Sequence, residues 1–127
     1  MAERTLTQRD LNRALLARQL LLERAELPLS RALERMGGIQ NQYAPNAYIR
    51  LFSCLEGFRR GDLTRALERR TVVNATLMRA TIHVVSKRDF WPFAVAIRPA
   101  QQDWWLRVRR PRPKERELEA TARSSQR

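Results

Sequence analysis

The chain of 127 residues has few of the residues that several classes of site require. It contains one Cys and one His, so no disulfide and no metal cluster can be built within it. Only four residues are Gly, which disfavours a turn-rich all-β fold. No apolar run reaches the roughly 18 residues of a membrane span, and "MAERTLTQRD" has no signal-peptide core. We predict a cytoplasmic, nucleoid-associated protein without metal or cofactor, in which Cys54 is a core residue.

Positive charge is what the sequence has in excess. Lys and Arg number 25 against 13 Asp and Glu, a net charge of +12, and only two of the 25 are Lys. A high-GC genome would explain Arg in place of Lys, but not the excess of bases over acids. A field of this sign attracts polyanions, namely DNA, RNA or anionic lipid. We predict double-stranded DNA as the partner and no membrane association.

Apolar residues repeat at helical spacing through most of the first 70 residues. Thr7 is the predicted N-cap of the first helix, and Asp10 completes a capping-box variant. Gly37 and Gly38 end the second helix, since glycine favours the position after a helix. Asp62 is the predicted cap of the fourth. The predicted helices cover residues 8–24, 29–36, 45–58 and 62–70.

β-branched residues dominate residues 71–86, which predicts two short strands, and residues 39–42 predict one more. A period of two would place Arg79, Thr81 and His83 together on the outward face of the last strand. The connection between the two strands lacks a hairpin turn signal. A further helix is predicted from Ser86, and apolar periodicity is lost after Pro99.

The order from residue 29 is helix, short strand, helix, turn, helix, strand, strand, which is typical of a winged helix. The predicted fold class is α+β, mostly α: a winged helix-turn-helix with an extra N-terminal helix and a C-terminal helix after the β-hairpin wing. Residues 1–106 form the predicted winged-helix domain. Residues 107–127 predict a basic, Pro-containing linker and the truncated start of a further helix.

Five arginines lie where a winged helix meets DNA phosphates. Arg65 and Arg69 are one turn apart on the predicted recognition helix, and Arg59 and Arg60 precede it. Arg79 lies at the predicted wing tip. The alternative for each one is a solvated surface without a partner.

Two glutamines, Gln40 and Gln42, are two residues apart in the short extended segment, so both side chains can act on one target. A carboxamide does not titrate near neutral pH, but it can accept a hydrogen bond from a water and hold that water in place. The alternative is structural: the pair caps the next helix or satisfies backbone groups at a sheet edge.

Three stretches together resemble the N-terminal part of the AlkZ-type winged-helix DNA glycosylases, over residues 6–119. They are "LNRALLARQLLL", "ALERMGGIQNQYAPNAYIRLFSCL" and "LTRALERRTVVNATLMRATIHVVS". The resemblance implies hydrolysis, without a metal, of the N-glycosidic bonds of alkylated or crosslinked bases. It implies Gln40 and Gln42 as the catalytic pair, and Arg79, Thr81 and His83 as a DNA-contacting strand.

Two features depart from that resemblance. Asn41 stands between the glutamines, where a small or aliphatic residue is implied, and the tandem winged-helix units that follow in such proteins are missing from these 127 residues. Whether the chain is an enzyme therefore stays open. The alternatives are a non-catalytic winged-helix DNA-binding protein or transcription regulator, and an inactive fragment.

Overall fold

A computed structural model describes residues 5–108. Over these residues the fold is α+β and mostly helical, as predicted, and its three strands form one antiparallel sheet. The order of elements is compatible with a winged helix. The helices are α1 (Gln8–Arg18), α2 (Leu29–Met36), α3 (Asn46–Cys54), α4 (Arg60–Glu68) and α5 (Lys87–Val108), and the strands are β1 (Ile39–Gln40), β2 (Val72–Thr76) and β3 (Ile82–Ser86).

The strand order is β1-β3-β2, so β3 is the central strand. Both α2 and α5 contact it. Val84 and Val85 are consecutive and point to opposite faces, yet their relative exposures are 1% and 0%. Both faces of β3 are therefore covered.

The start of α1 is as predicted. The Asp10 backbone N–H donates to Thr7 Oγ1, and the Thr7 N–H donates to the Asp10 carboxylate, which forms the capping box. The predicted end is wrong, because α1 stops at Arg18 rather than near residue 24. Leu20 follows at φ 55° and is buried, so the chain turns there to bring this leucine into the core. The helix α1 itself buries none of its residues.

The start of α4 also differs from the prediction. The helix begins at Arg60, and Asp62 is its third residue, where its carboxylate accepts the backbone N–H of Arg59 at 2.7 Å. Gly61 lies inside the first turn without a positive φ. An acidic side chain near a helix N-terminus is favourable both as an acceptor and against the helix dipole.

The helix α5 continues through Pro99 to Val108, whereas the sequence predicts the loss of helical order after Pro99. The Gln101 side chain donates to the backbone oxygen of Thr76 at 3.1 Å and ties this half of the helix to the end of β2. Arg107 and Val108, the first two residues of the predicted linker, are therefore helical. Residues 109–127 of that linker lie outside the described residues. Cys54 is buried in the core, as predicted.

Candidate functional site

The two glutamines lie at the exposed edge of the sheet where β1 ends. Gln40 is the last residue of β1 and is paired in register with His83 of β3. Both glutamine side chains are exposed. The pair is therefore accessible from solvent.

The Gln42 side chain takes part in the sheet. The backbone N–H of Asn41 donates to Ile82 O at 2.7 Å, which is one half of an antiparallel hydrogen-bonded pair. The other half would run from the Ile82 N–H to the backbone oxygen of Asn41. Instead, the Ile82 N–H donates to Gln42 Oε1 at 2.9 Å. Since a backbone N–H can only donate, the amide orientation of Gln42 is fixed by this contact.

The intervening Asn41 holds the next helix. Its Oδ1 accepts the backbone N–H of Ala47, in the first turn of α3, at 3.1 Å. A side-chain oxygen that accepts an early helical N–H satisfies a group with no partner inside the helix. The structural alternative for the glutamine pair was to cap the next helix or to satisfy backbone groups at the sheet edge. Asn41 makes the contact to the helix, and Gln42 makes the contact to the sheet edge.

Arg79 reaches the first glutamine from the turn between β2 and β3. Its Nη2 lies 3.5 Å from Gln40 Oε1, at the long limit of a hydrogen bond. Arg79 and Ala80 have φ of 54° and 55°, a left-handed conformation that is costly for residues with a Cβ. The turn Met78–Ala80 places Arg79 at the wing tip, as predicted.

The expectation that Arg79, Thr81 and His83 face outward together is wrong for His83, which is 4% exposed. The His83 Nδ1 lies 2.9 Å from the Thr81 backbone oxygen, and the half-buried Thr81 hydroxyl donates to Met78 O at 3.0 Å. Alternation along a strand gives one exposed face only when that face is open to solvent. Here both faces of β3 are covered.

The remaining predicted DNA-binding residues lie on or beside α4, and all are exposed. Arg65 forms an ion pair with Asp62, and the Arg60 guanidinium lies 5.8 Å from the centre of the Tyr48 ring. Within residues 5–108, Arg59 and Arg69 form no ion pair. The helix α4 contacts β2 and α3, whereas Gln40 lies on β1, at the opposite edge of the sheet from β2.

Sequence reasoning missed a cleft of about 400 Å³ that borders Gln40. Arg50 of α3 lines it and donates from Nη2 to the backbone oxygen of Gln19 at 3.0 Å and to Gln19 Oε1 at 2.8 Å. The cleft joins residues about 10 to 30 positions apart in the chain, and no local pattern indicates such a meeting.

A family model described as DNA glycosylase AlkZ-like matches residues 33–126. The chain belongs to this family. No curated protein and no solved structure matches the chain. The AlkZ-like match contains both glutamines, Arg50, Arg79 and the arginines of α4, and it excludes α1.

AlkZ-like membership supports a function related to DNA glycosylases and implies binding to DNA. No helix in the described part of this AlkZ-like chain has the length and apolar character needed to cross a bilayer.

Proposed function

We propose that the chain binds double-stranded DNA and hydrolyses the N-glycosidic bond of alkylated or crosslinked bases, with Gln40 and Gln42 at the reacting centre. The observation that carries this proposal is the position of Gln40. Its carboxamide is exposed, lies beside the Arg79 guanidinium and borders a cleft of about 400 Å³.

The two glutamines have different chemistry in this arrangement. Within residues 5–108 the Gln40 side-chain oxygen has one contact, at 3.5 Å, so it is available to accept a hydrogen bond from an attacking water. The Gln42 oxygen already accepts the Ile82 N–H, and its NH₂ has no hydrogen-bond partner in the described part of the chain. Gln40 orients the water, and Gln42 keeps the segment in place and offers two N–H donors to the sugar or phosphate.

Such groups suit the cleavage of an alkylated purine. The base carries a positive charge before it leaves, so little acid assistance is needed, and positive charge develops on the sugar as the bond breaks. Oriented dipoles then stabilise the reaction without a titrating acid or a metal. A water held near the anomeric carbon loses little entropy on attack.

We assign the binding of the DNA backbone to the exposed arginines. Arg59 and Arg69 are the strongest candidates for phosphate contacts, because neither forms an ion pair within residues 5–108. Three further arginines add to the positive charge, although each already contacts another side chain. Arg60 contacts Tyr48, Arg65 contacts Asp62, and Arg79 contacts Gln40. Thr81 holds the turn that presents Arg79, since its hydroxyl donates to Met78 O, and the buried His83 contacts the backbone oxygen of Thr81.

The test is abasic-site formation in a duplex that carries a single 7-methylguanine, measured under single-turnover conditions. Gln40→Ala should lower the rate constant on the order of 10²-fold, the usual effect of removing one polar group that acts in the transition state. Gln102→Ala, an exposed glutamine on α5, is the matched control and should react like the unmodified protein. Equal rates for Gln40→Ala and Gln102→Ala would remove Gln40 from the reaction.

One observation favours a second candidate, a non-catalytic DNA-binding protein. Gln42 and Asn41 are both engaged in holding the fold, which accounts for two of the three polar residues without any reaction. Tight binding of undamaged duplex with no abasic sites in the alkylated duplex would support this candidate.

A further inference from the structure

The cleft beside Gln40 is formed by three parts of the chain that the core brings together: the turn after α1, the strand β1 and the helix α3. Its volume of about 400 Å³ falls in the range typical of small-molecule sites and far exceeds the needs of a phosphate group. Apolar side chains and polar groups share its lining. The residues used below are Gln19, Leu21, Ile39, Gln40, Ile49 and Arg50.

Arg50 is the cation of this cleft. Its Nη2 makes both contacts to Gln19, which fixes the plane of the guanidinium, and among the described residues the three N–H groups on Nη1 and Nε have no partner and can donate to a ligand. Within residues 5–108 no carboxylate pairs with it. Arg50 is half-buried, so its charge is only partly screened by water.

The walls suit a flat heteroaromatic ring. Leu21 and Ile49 offer partly exposed apolar surface, and the buried Ile39 also lines the cleft. A purine presents carbonyl and ring-nitrogen acceptors along its edge, and arginine is the side chain that most often binds such an edge. The combination of apolar walls and a fixed set of donors is the one by which enzymes hold a base outside the stack.

We propose that this cleft binds the alkylated base as the leaving group and that Arg50 is a catalytic residue that donates hydrogen bonds to it; this inference rests on the proposed function. In the reaction the bond between the sugar C1′ and the base nitrogen breaks, and its electron pair stays on the base. The cationic base thereby becomes neutral. Water forms the new bond to C1′ and releases a proton to solvent.

The positive charge of Arg50 favours cleavage of the bond between C1′ and the base. A guanidinium repels a cationic base in the bound duplex, and its hydrogen bonds to that base strengthen as electrons arrive. An interaction that is stronger in the transition state than in the ground state accelerates the chemical step. Arg50 should therefore affect the rate of base release more than the affinity for DNA.

The first test fills the cleft. Ile49 is 60% exposed, so Ile49→Trp adds volume at the wall with little loss of packing. We expect a loss of more than tenfold in the abasic-site rate constant and loss of binding of free 7-methylguanine in an NMR titration. The control is Phe52→Trp on the same helix; Phe52 is 56% exposed and lies outside the cleft lining. Both variants should bind undamaged duplex like the unmodified protein.

The second test is Arg50→Met, which keeps an unbranched apolar side chain and removes the charge and the donors. We expect a lower single-turnover rate with unchanged duplex affinity, and weaker binding of 7-methylguanine. Loss of the Gln19 contacts could by itself destabilise the fold, so urea unfolding accompanies this variant. If Arg50→Met does not fold, the Ile49→Trp result alone decides whether the cleft binds the base.

The outcomes separate this inference from the proposed function. If the unmodified protein forms no abasic sites, the proposed function fails, while binding of 7-methylguanine that is lost in Ile49→Trp still supports a base-binding cleft. If abasic sites form equally fast in Ile49→Trp and Phe52→Trp, the function stands and the cleft inference is wrong. Absence of binding of free 7-methylguanine, or binding of inorganic phosphate in its place, also overturns the inference.

Discussion

The Ile82 backbone N–H donates to the side-chain oxygen of Gln42 at 2.9 Å, in place of the backbone oxygen that an uninterrupted antiparallel ladder would supply. A candidate catalytic residue is thus also part of the sheet. Loss of activity after its replacement has two possible origins, chemistry and stability, and these must be measured separately.

Gln42→Ala should lower the free energy of unfolding by about 1 kcal/mol, because the Ile82 N–H loses its acceptor at a site where water can partly replace it. Gln40→Ala should change it by less than about 0.5 kcal/mol, since its contact to Arg79 is at 3.5 Å. Urea unfolding measures both.

Gln42→Glu keeps an acceptor for Ile82 and removes the NH₂, so it should retain stability and lose activity. Full activity in Gln42→Glu would contradict a role for the NH₂.

Gly38→Ala should destabilise the fold by more than about 2 kcal/mol, the range of overpacked core substitutions. Gly38 has φ 88°, and an added Cβ would lie 2.7 Å from Val85 Cγ1 and 3.1 Å from the backbone oxygen of Val84. Gly57→Ala is the matched control, with φ 64° and no atom within 4 Å of the added Cβ. Gly57→Ala should lower the free energy of unfolding by only roughly 1 kcal/mol, the cost of placing a residue with a Cβ in the left-handed conformation. Equal thermal stability of the two variants would contradict the close approach at Gly38.

Ala80→Gly should stabilise the protein by up to about 1 kcal/mol, because Ala80 has φ 55° in the wing turn and glycine adopts this conformation without a steric cost. Ala75→Gly, in β2 and without a positive φ, should destabilise it instead. Guanidinium unfolding of the two variants makes the comparison. A destabilised Ala80→Gly would mean that the turn is not strained.

Arg59→Gln and Arg69→Gln should each reduce the steepness of the dependence of log K on log salt by about 0.9, the value for one lost phosphate contact on B-DNA. Neither arginine has an ion-pair partner within residues 5–108, so both charges are available to DNA. Arg31→Gln is the control, since Arg31 is paired with Glu34 on α2. Binding titrations at several salt concentrations supply the slopes. Unchanged slopes in both variants would place the DNA surface elsewhere.

Burial raises the pKa of the Cys54 thiol above its ordinary value, and the nearby Arg50 guanidinium partly opposes the shift. The folded protein thus holds the thiol proton more tightly than the unfolded chain. This contribution to stability is present below the unfolded pKa of about 8.5 and is lost as pH rises through the folded pKa. Cys54→Ala should lack this alkaline component of unfolding. A thiol that reacts with maleimide near pH 8 as fast as free cysteine would contradict the burial.

Local patterns predicted the parts of the fold whose causes are local. The helix Leu29–Met36 was predicted with both ends correct, because its apolar spacing stops at Gly37, which has φ 74°. The capping box of Thr7 and Asp10 was also predicted, because it depends only on residues that are close in sequence. The wing tip was predicted at Arg79, but the bounds of its turn were not, because the positive φ values fall on Arg79 and Ala80 rather than on glycine.

The errors arose where tertiary packing decides. His83 was expected outside because alternation presumes an open face, whereas both faces of β3 are covered. Helical order was expected to end after Pro99, yet α5 continues to Val108 with Gln101 bonded to the end of β2. At the candidate site, the glutamine pair was identified from residue types and resemblance. The cleft and Arg50 were not, because Gln19 and Arg50 meet only in the folded chain.

Three consecutive residues tie the edge of the sheet to its surroundings: Gln40 to the wing arginine, Asn41 to the first turn of α3, and Gln42 to the amide of Ile82. Two of these contacts reach the wing arginine or Ile82, the first residue of β3 after the wing turn. If Gln42 left the sheet to engage a substrate, the Ile82 amide proton would exchange faster with solvent. Hydrogen exchange at this one amide thus reports on whether the segment is docked or released.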